Sequence, residues 1–438
     1  MLRRKMTDRL IEWKNDPNKK SLLITGARQV GKTYIIEDFA KKNYGSYIYI
    51  NFEKTPSLKS IFDGDRDVDT LIRKMSIRFK DAEFIPGDTL IFLDEIQSCP
   101  DARVAFKFFT MDGRYDVIGS GSLLGITHKE VSSYPVGYEN EIEMYSLDFE
   151  EFLWAMGVKE DVIEYVKRSL SEKRPIDQFT LDSFNEFLRW HMIVGGMPEA
   201  VSTFKETNHF GKVLAVQRGI IKGYLEDVRK YATWLDKDLV KASIESIPSQ
   251  LSKNNKKFMY TDIEGKKGVR GETYKDGLTW LYDAGIINLC HNLSEPALPL
   301  QANRISNIFK IYLRDTGLMV AMMEDGLSEA LLDGDIDVNE GAVMENMAAD
   351  MLSKNEYNLT YFEKNGSLEI DFILNLNGIV SAIEVKSGVN RRAKSLNVLM
   401  SPKYNVKRGM MLETRNIFVD EKGVEHYPMF AAAFMRSL

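Results

Sequence analysis

The order of apolar and polar residues divides the chain into stretches of different period. Up to about residue 155, short apolar runs alternate with segments of helical period. The runs at 21–25, 47–52, 89–93, 115–119 and 141–146 have strand length and predict strands. Strands separated by helical segments predict a parallel α/β sheet. The run Leu90-Ile-Phe-Leu93 has no alternation, which suits a strand covered on both faces. Residues 148–235 are helical by period, interrupted at Gly195-Gly196-Met197-Pro198. The glycines allow a tight entry there, and Pro198 fits the first turn of a new helix. Residues 236–295 read helix, short helix, helix, then β, with Ile286-Ile-Asn-Leu289 directly after Gly285. Beyond them, 338–354 reads as a helix and 358–363, 368–375 and 379–386 as strands. A basic helix near 391–400 and strands near 408–413 and 425–430 follow. Domains are expected at 1–155, 156–235, 236–325 and 326–438.

The first strand runs into Gly26-Ala27-Arg28-Gln29-Val30-Gly31-Lys32-Thr33, which fits G-x-x-x-x-G-K-[ST] without a mismatch. Glycines let the backbone curl so that successive N–H groups point inward, and the following helix adds partial positive charge. Lys32 reaches the β- and γ-phosphates in such a loop, and the Thr33 hydroxyl takes one position on Mg²⁺. Placement between a strand and a helix argues against a plain glycine turn. The expected ligand is ATP with Mg²⁺.

A second signal ends the third strand at Asp94-Glu95. Asp94 is expected to hold the magnesium and Glu95 to orient and deprotonate the attacking water. A metal-holding acid beside a general base is more than binding requires, so an ATPase is expected. Gly119-Ser120-Gly121-Ser122 ends the fourth strand, level with these acids. Ser120 there reads either as a γ-phosphate sensor or as part of a Ser/Gly turn.

Composition narrows the setting. With 44% hydrophobic residues the chain has material for several cores. Its two cysteines, Cys99 and Cys290, make no disulfide framework, so a cytoplasmic location is expected. The N-terminus has no apolar signal-peptide core and no run reaches membrane-spanning length, so no membrane partner is expected. The net charge of −6 does not advertise nucleic acid, but charge is segregated. Residues 324–345 hold eight acids and no Lys or Arg; residues 386–408 hold seven basic residues and no acid. The acidic block reads as a domain boundary, the basic one as a surface able to meet phosphates.

Two further constellations bear on partners. The helix–helix–β order of 236–295 suits a winged helix, whose third helix can enter a DNA major groove. Residues 253–275 hold seven Lys/Arg against three acids, but winged helices also serve as protein-contact modules. In the C-terminal region, Glu369-Ile-Asp371 and Glu384-Val-Lys386 each place two charged side chains on one strand face. Antiparallel neighbours would bring Asp371, Glu384 and Lys386 together, with Glu345 reaching over from its helix. Clustered carboxylates bind Mg²⁺ and generate hydroxide; two solvated polar faces are the plainer alternative.

These motifs carry two resemblances. Residues 1–235 resemble the prokaryotic AAA-type ATPases of unassigned function that begin with G-x-R-Q-V-G-K-T. The matching segments are 28–33, Asp94-Glu95-Ile96-Gln97, Gly119-Ser120, 146–153 and 195–198. Members often carry Gly-Arg where this chain has Gly137-Tyr138, so an arginine finger at that point is lacking. Residues 326–438 resemble the companion domain of these ATPases, which is similar to the PD-(D/E)xK, restriction-endonuclease-like fold. Glu345, Asp371, Glu384 and Lys386 match its active-site types in order. The resemblance implies a parallel-sheet P-loop ATPase core, a helical lid, a winged-helix module and an α+β nuclease-like domain. Two functions stay open. One couples ATP turnover to DNA contact and metal-dependent cleavage; the other is an ATP-driven switch with a silent nuclease-like domain, acting on DNA, a protein partner or an oligomer.

Overall fold

The computed structural model describes residues 2–122, 137–231, 237–253, 255–263, 271–323, 331–332, 340–387, 393–404 and 406–438. The chain forms two compact units, Arg3–Ser146 with Asp283–Gly285, and Leu147–Tyr282 with Ile286–Leu438.

In the first unit the five apolar runs are five strands: β1 (Ser21–Thr25), β2 (Ser46–Asn51), β3 (Thr89–Asp94), β4 (Asp116–Ser120) and β5 (Glu139–Glu143). They lie in the order β2-β3-β4-β1-β5, every pair parallel. Helices α1 (Lys5–Asn15), α2 (Lys32–Asn43), α3 (Val68–Arg78) and α4 (Pro100–Asp112) complete the unit. Strands β1 and β3 are buried along their whole length, as their unbroken apolar sequence requires. Leu23, Ile48, Ile50, Ile91, Leu93 and Val117 pack with Leu71, Met75, Phe106 and Phe109 in one core. Each such side chain contributes about 1.5–3 kcal/mol on burial. Local sequence sets the ends of α4: Pro100 occupies its first turn, and Gly113 closes it at φ 73°. Because all five strands are parallel, their C-terminal ends share one edge, where α/β sheets place their ligands.

The second unit opens with α5 (Phe149–Ala155), α6 (Glu160–Ser171), α7 (Gln178–Val194), α8 (Pro198–Thr207) and α9 (Phe210–Tyr231). A reciprocal capping box between Asp148 and Glu151 starts α5. Phe149 faces Phe430, so this helix packs with the second unit although the sequence grouped it with the first. The Gly195–Pro198 interruption is a backbone crossing. A Cβ on Gly196 would lie 2.0 Å from the Leu147 carbonyl oxygen. The Gly196 N–H donates to Asp315 Oδ2 at 2.8 Å, its carbonyl accepts from Leu147 N–H at 2.7 Å, and Pro198 starts α8.

Next come α10 (Lys237–Leu251), a 3-10 turn (Tyr260–Asp262), α11 (Gly271–Asp283) and β6 (Ile287–Leu293), in the order the periodicity predicts, then β7 (Arg304–Leu313) and α12 (Thr316–Ala321), which it does not predict. The C-terminal part holds α13 (Glu340–Lys354), β8 (Thr360–Lys364), β9 (Leu368–Ile370), β10 (Phe372–Leu376), β11 (Ile379–Val385), α14 (Lys394–Leu399), β12 (Arg408–Glu413), β13 (Phe418–Val419) and β14 (Glu425–Pro428). The single strand expected at 368–375 breaks at Asp371. Its carboxylate accepts the Val385 N–H at 2.8 Å, and the two halves join different sheets. β9 ends the four-stranded sheet β7-β6-β8-β9; β10 begins the five-stranded sheet β10-β11-β12-β14-β13. The parallel pair β6–β8, with His291 opposite Thr360, makes one sheet from segments that the sequence assigned to separate domains. Much of the acidic block, and Arg391 and Arg392 of the basic one, lie outside the described residues. Among the described residues no helix is long and apolar enough to cross a membrane.

Candidate functional site

The loop after β1 has the curl that its glycines predict. Gly26 stands at φ 142° and Gly31 at φ 96°, with Gln29 between them at φ 64°. Side-chain-free Gly26 is required: a Cβ would meet the Met144 carbonyl oxygen at 2.2 Å. Gly31 caps α2 without a side chain, leaving the helix's first N–H groups for a ligand. Buried Arg4 pins the loop from outside, donating to Val30 O at 3.0 Å and Tyr145 O at 2.7 Å. The Lys32 ammonium folds onto the loop carbonyls of Gly26 at 2.9 Å and Ala27 at 2.8 Å. Burial pushes it down to about 8, against the attraction of Glu95 and Asp94, with the Arg28 charge adding to the fall.

Asp94 is the hub of the site. Oδ2 accepts from Thr33 Oγ1 at 3.1 Å, Tyr49 OH at 2.9 Å and Asn51 Nδ2 at 3.0 Å. Oδ1 accepts from the Glu95 N–H at 3.1 Å and from the Ser120 hydroxyl. The strand register Asn51↔Asp94↔Ser120 brings these groups level. Glu95 follows in the left-handed region at φ 53°, half-buried, with Gln97 donating to its carboxylate. Burial raises the Glu95 carboxyl; the Gln97 bond opposes this and the Asp94 charge reinforces it. A left-handed non-glycine residue costs of order 1–3 kcal/mol and is held only where the surroundings impose it.

Thr33, Lys32, Asp94, Glu95 and Ser120 therefore come together as the sequence placed them. Ser120 is fully buried and directed at Asp94. Sequence reasoning missed Tyr49, Asn51 and Arg4. The available signal was the end of β2, Tyr49-Ile-Asn51, where polar residues sit at the strand terminus beside the acid-bearing strand. Tyr138 lies under the Lys107 ammonium at 5.4 Å. The hydroxyl of Thr33 and the carboxylate of Asp94 are oxygen ligands already adjacent, a donor set that suits Mg²⁺.

The C-terminal carboxylates are arranged differently from the expectation. Glu345 of α13 is fully buried and accepts from three groups: Lys310 Nζ at 2.9 Å, Lys256 Nζ and Tyr312 OH. Lys310 also meets Glu369 at 2.7 Å and Asp371 at 3.9 Å. Lys386 pairs with Glu384 Oε1 at 2.6 Å, and Glu384 Oε2 has no partner among the described residues. Burial raises Glu345, but Lys310 and Lys256 outweigh it and hold the carboxyl at about 2. Burial and then the Glu345 charge push Asp371 up to about 7. Burial likewise raises Glu384, opposed by Lys386. Among the described residues, only Glu150, Glu160 and Glu164 form an acidic trio with ligand atoms all within 4.8 Å, and Lys167 bridges Glu150 and Glu164. Glu345, Asp371 and Glu384 do not make such a trio. The signal missed was the strand Phe309-Lys310-Ile311-Tyr312, where a lysine sits within an apolar run.

A parallel sheet with a phosphate loop after β1 and an acid pair after β3 defines a P-loop ATPase core. Residues 18–153 match the family model for an AAA domain, so this part of the chain is an AAA-type P-loop domain. Residues 185–329 and 340–429 match models of two domains of unknown function, DUF8612 and DUF4143. Among solved structures, the Walker-type ATPase of Pyrococcus abyssi aligns at 16% identity over 74% of this chain and 96% of that one, TM-score 0.43. The Aeropyrum pernix Orc1 protein in complex with DNA aligns at 14% identity over 75% and 92%, TM-score 0.30. AMPPCP-bound DnaA from Aquifex aeolicus aligns at 12% over 62% and 75%, TM-score 0.27. No curated protein matches the chain.

Proposed function

We propose that the chain is a Mg²⁺-dependent ATPase whose nucleotide state governs contact with DNA. One observation carries the ATPase reading: Asp94 is bonded to Thr33 of the phosphate loop and adjoins half-buried Glu95. Lys32 exchanges its two carbonyl partners for the β- and γ-phosphates, and the loop N–H groups hold the remaining phosphate oxygens. Mg²⁺ held by Thr33 and Asp94 would neutralise charge on those phosphates. Tyr49, Asn51 and Ser120 fix the Asp94 carboxylate, and Glu95 takes the proton of the attacking water, helped by burial that raises its carboxyl above the ordinary value. DNA contact rests on the helix, turn, helix and β-hairpin order of 237–313, read as a winged-helix module. For the nuclease-like domain the silent reading is favoured, because Lys310 and Lys256 already neutralise Glu345.

Calorimetry with ATP and Mg²⁺, and phosphate release with and without duplex DNA, test the proposal. Lys32→Ala should abolish binding. Glu95→Gln keeps the size and removes the base, so ATP should bind while turnover falls ~10²-fold or more. Undiminished turnover in Glu95→Gln would refute the assigned base, and turnover indifferent to DNA would refute the coupling.

A further inference from the structure

The carboxylates of the C-terminal centre surround a cation that the chain itself supplies. Lys310 stands on β7, wholly buried. Its ammonium meets Glu345 from α13, Glu369 from β9 and Asp371 from the break before β10. The ring of Tyr361, 4.9 Å from the ammonium, adds a fourth neighbour. An ammonium has three N–H donors, and here it has acids on three separate elements. We infer that Lys310 is the resident cation of this centre, a built-in plug that closes it to divalent ions.

Ligand arithmetic supports the plug. Mg²⁺ wants six oxygen ligands at roughly 2.0–2.1 Å. Glu345 is spent on Lys256, Lys310 and Tyr312, and Asp371 Oδ2 on the Val385 N–H. Among the described residues, what remains is Asp371 Oδ1, itself 3.9 Å from the Lys310 ammonium, and Glu384 Oε2, fewer protein ligands than the three acids in the sequence promise. Charge points the same way. Four carboxylates, Glu345, Glu369, Asp371 and Glu384, face three ammonium groups, Lys256, Lys310 and Lys386, so the repulsion that recruits an ion is already relieved. An entering ion would have to expel Lys310, and an expelled buried ammonium is left without the partners that offset its desolvation. The plug also comes from outside the acid-bearing segment. Lys310 belongs to the 185–329 region, the acids to 340–429. The acid–acid–x–lysine pattern can therefore be intact in sequence while its centre is closed in the fold.

Manganese binding to the full-length, nucleotide-free protein tests this by electron paramagnetic resonance. In the wild type, Asp371→Asn should leave Mn²⁺ binding unchanged. Lys310→Met keeps the length and removes the charge; it should gain a Mn²⁺ site, tightened at least tenfold, that Lys310→Met/Asp371→Asn loses. Circular dichroism establishes that each variant is folded, and Lys310→Gln serves if the methionine variant is not. A wild-type Mn²⁺ site that Asp371→Asn removes would overturn the inference. So would wild-type cleavage of DNA that Asp371→Asn abolishes, or a folded Lys310 variant with no added ion.

Discussion

Lys32 makes nucleotide binding sensitive to mild alkali. Burial lowers its ammonium to about 8 in the free protein, whereas polyphosphate oxygens around it favour the charged form. Binding therefore draws a proton from solution whenever Lys32 starts neutral. With a free value of about 8, roughly one tenth of the protein has neutral Lys32 at pH 7 and roughly nine tenths at pH 9. The sign follows from linkage: the complex holds more protons than the free partners, so affinity falls as pH rises past 8. If only the charged form binds, ATP affinity should weaken about tenfold between pH 7 and pH 9, or ~1.4 kcal/mol. Calorimetry in buffers of different ionisation enthalpy measures the proton count directly. Lys32→Arg keeps the charge at both pH values and reports the proton exchange of ATP itself. After subtraction, uptake should rise from about 0.1 to about 0.9 proton per ATP. Equal uptake at the two pH values would show that Lys32 is not depressed, and the buried geometry assigned to it would be wrong.

Other expectations concern the supports of the two units. Gly196→Ala drives a Cβ into the backbone of Leu147 and should cost roughly 3 kcal/mol or more of stability, read as a fall in urea midpoint. ATP affinity should hold within twofold at low temperature; a collapse of affinity with unchanged stability would mean that the Gly-Gly-Met-Pro motif serves the nucleotide. Asn51→Ala removes one donor from Asp94, a bond to a charged group worth about 1.5–3 kcal/mol. Steady-state kinetics should show turnover reduced at least tenfold with ATP affinity little changed, and wild-type turnover would remove Asn51 from the site.

What could be read in the sequence was local. The phosphate loop needs only consecutive residues, and the strands of the first unit are short apolar runs whose burial on both faces leaves little ambiguity. The expected 115–119 appears as 116–120, and 141–146 as 139–143. What could not be read depends on register or on crossings. Tyr49 and Asn51 reach Asp94 only because β2 and β3 pair with Asn51 beside Asp94. Arg4 joins Val30 to Tyr145, far apart in the chain. In the second unit the pattern Glu369-Ile-Asp371 suggested one strand face, but the Val385 N–H captures Asp371 and splits the strand. Lys310 lies 35 residues before Glu345, and no periodicity links them.

The parallel pairing of β6 with β8 has a consequence for inheritance. A gene fragment beginning at residue 340 would encode β8 with the edge that faces β6 bare, an invitation to aggregation. It would also encode Glu345 without Lys256, Lys310 and Tyr312, an ionised carboxylate that no interior tolerates alone. The 185–329 and 340–429 regions, distinct as sequence families, must therefore be exchanged between proteins together.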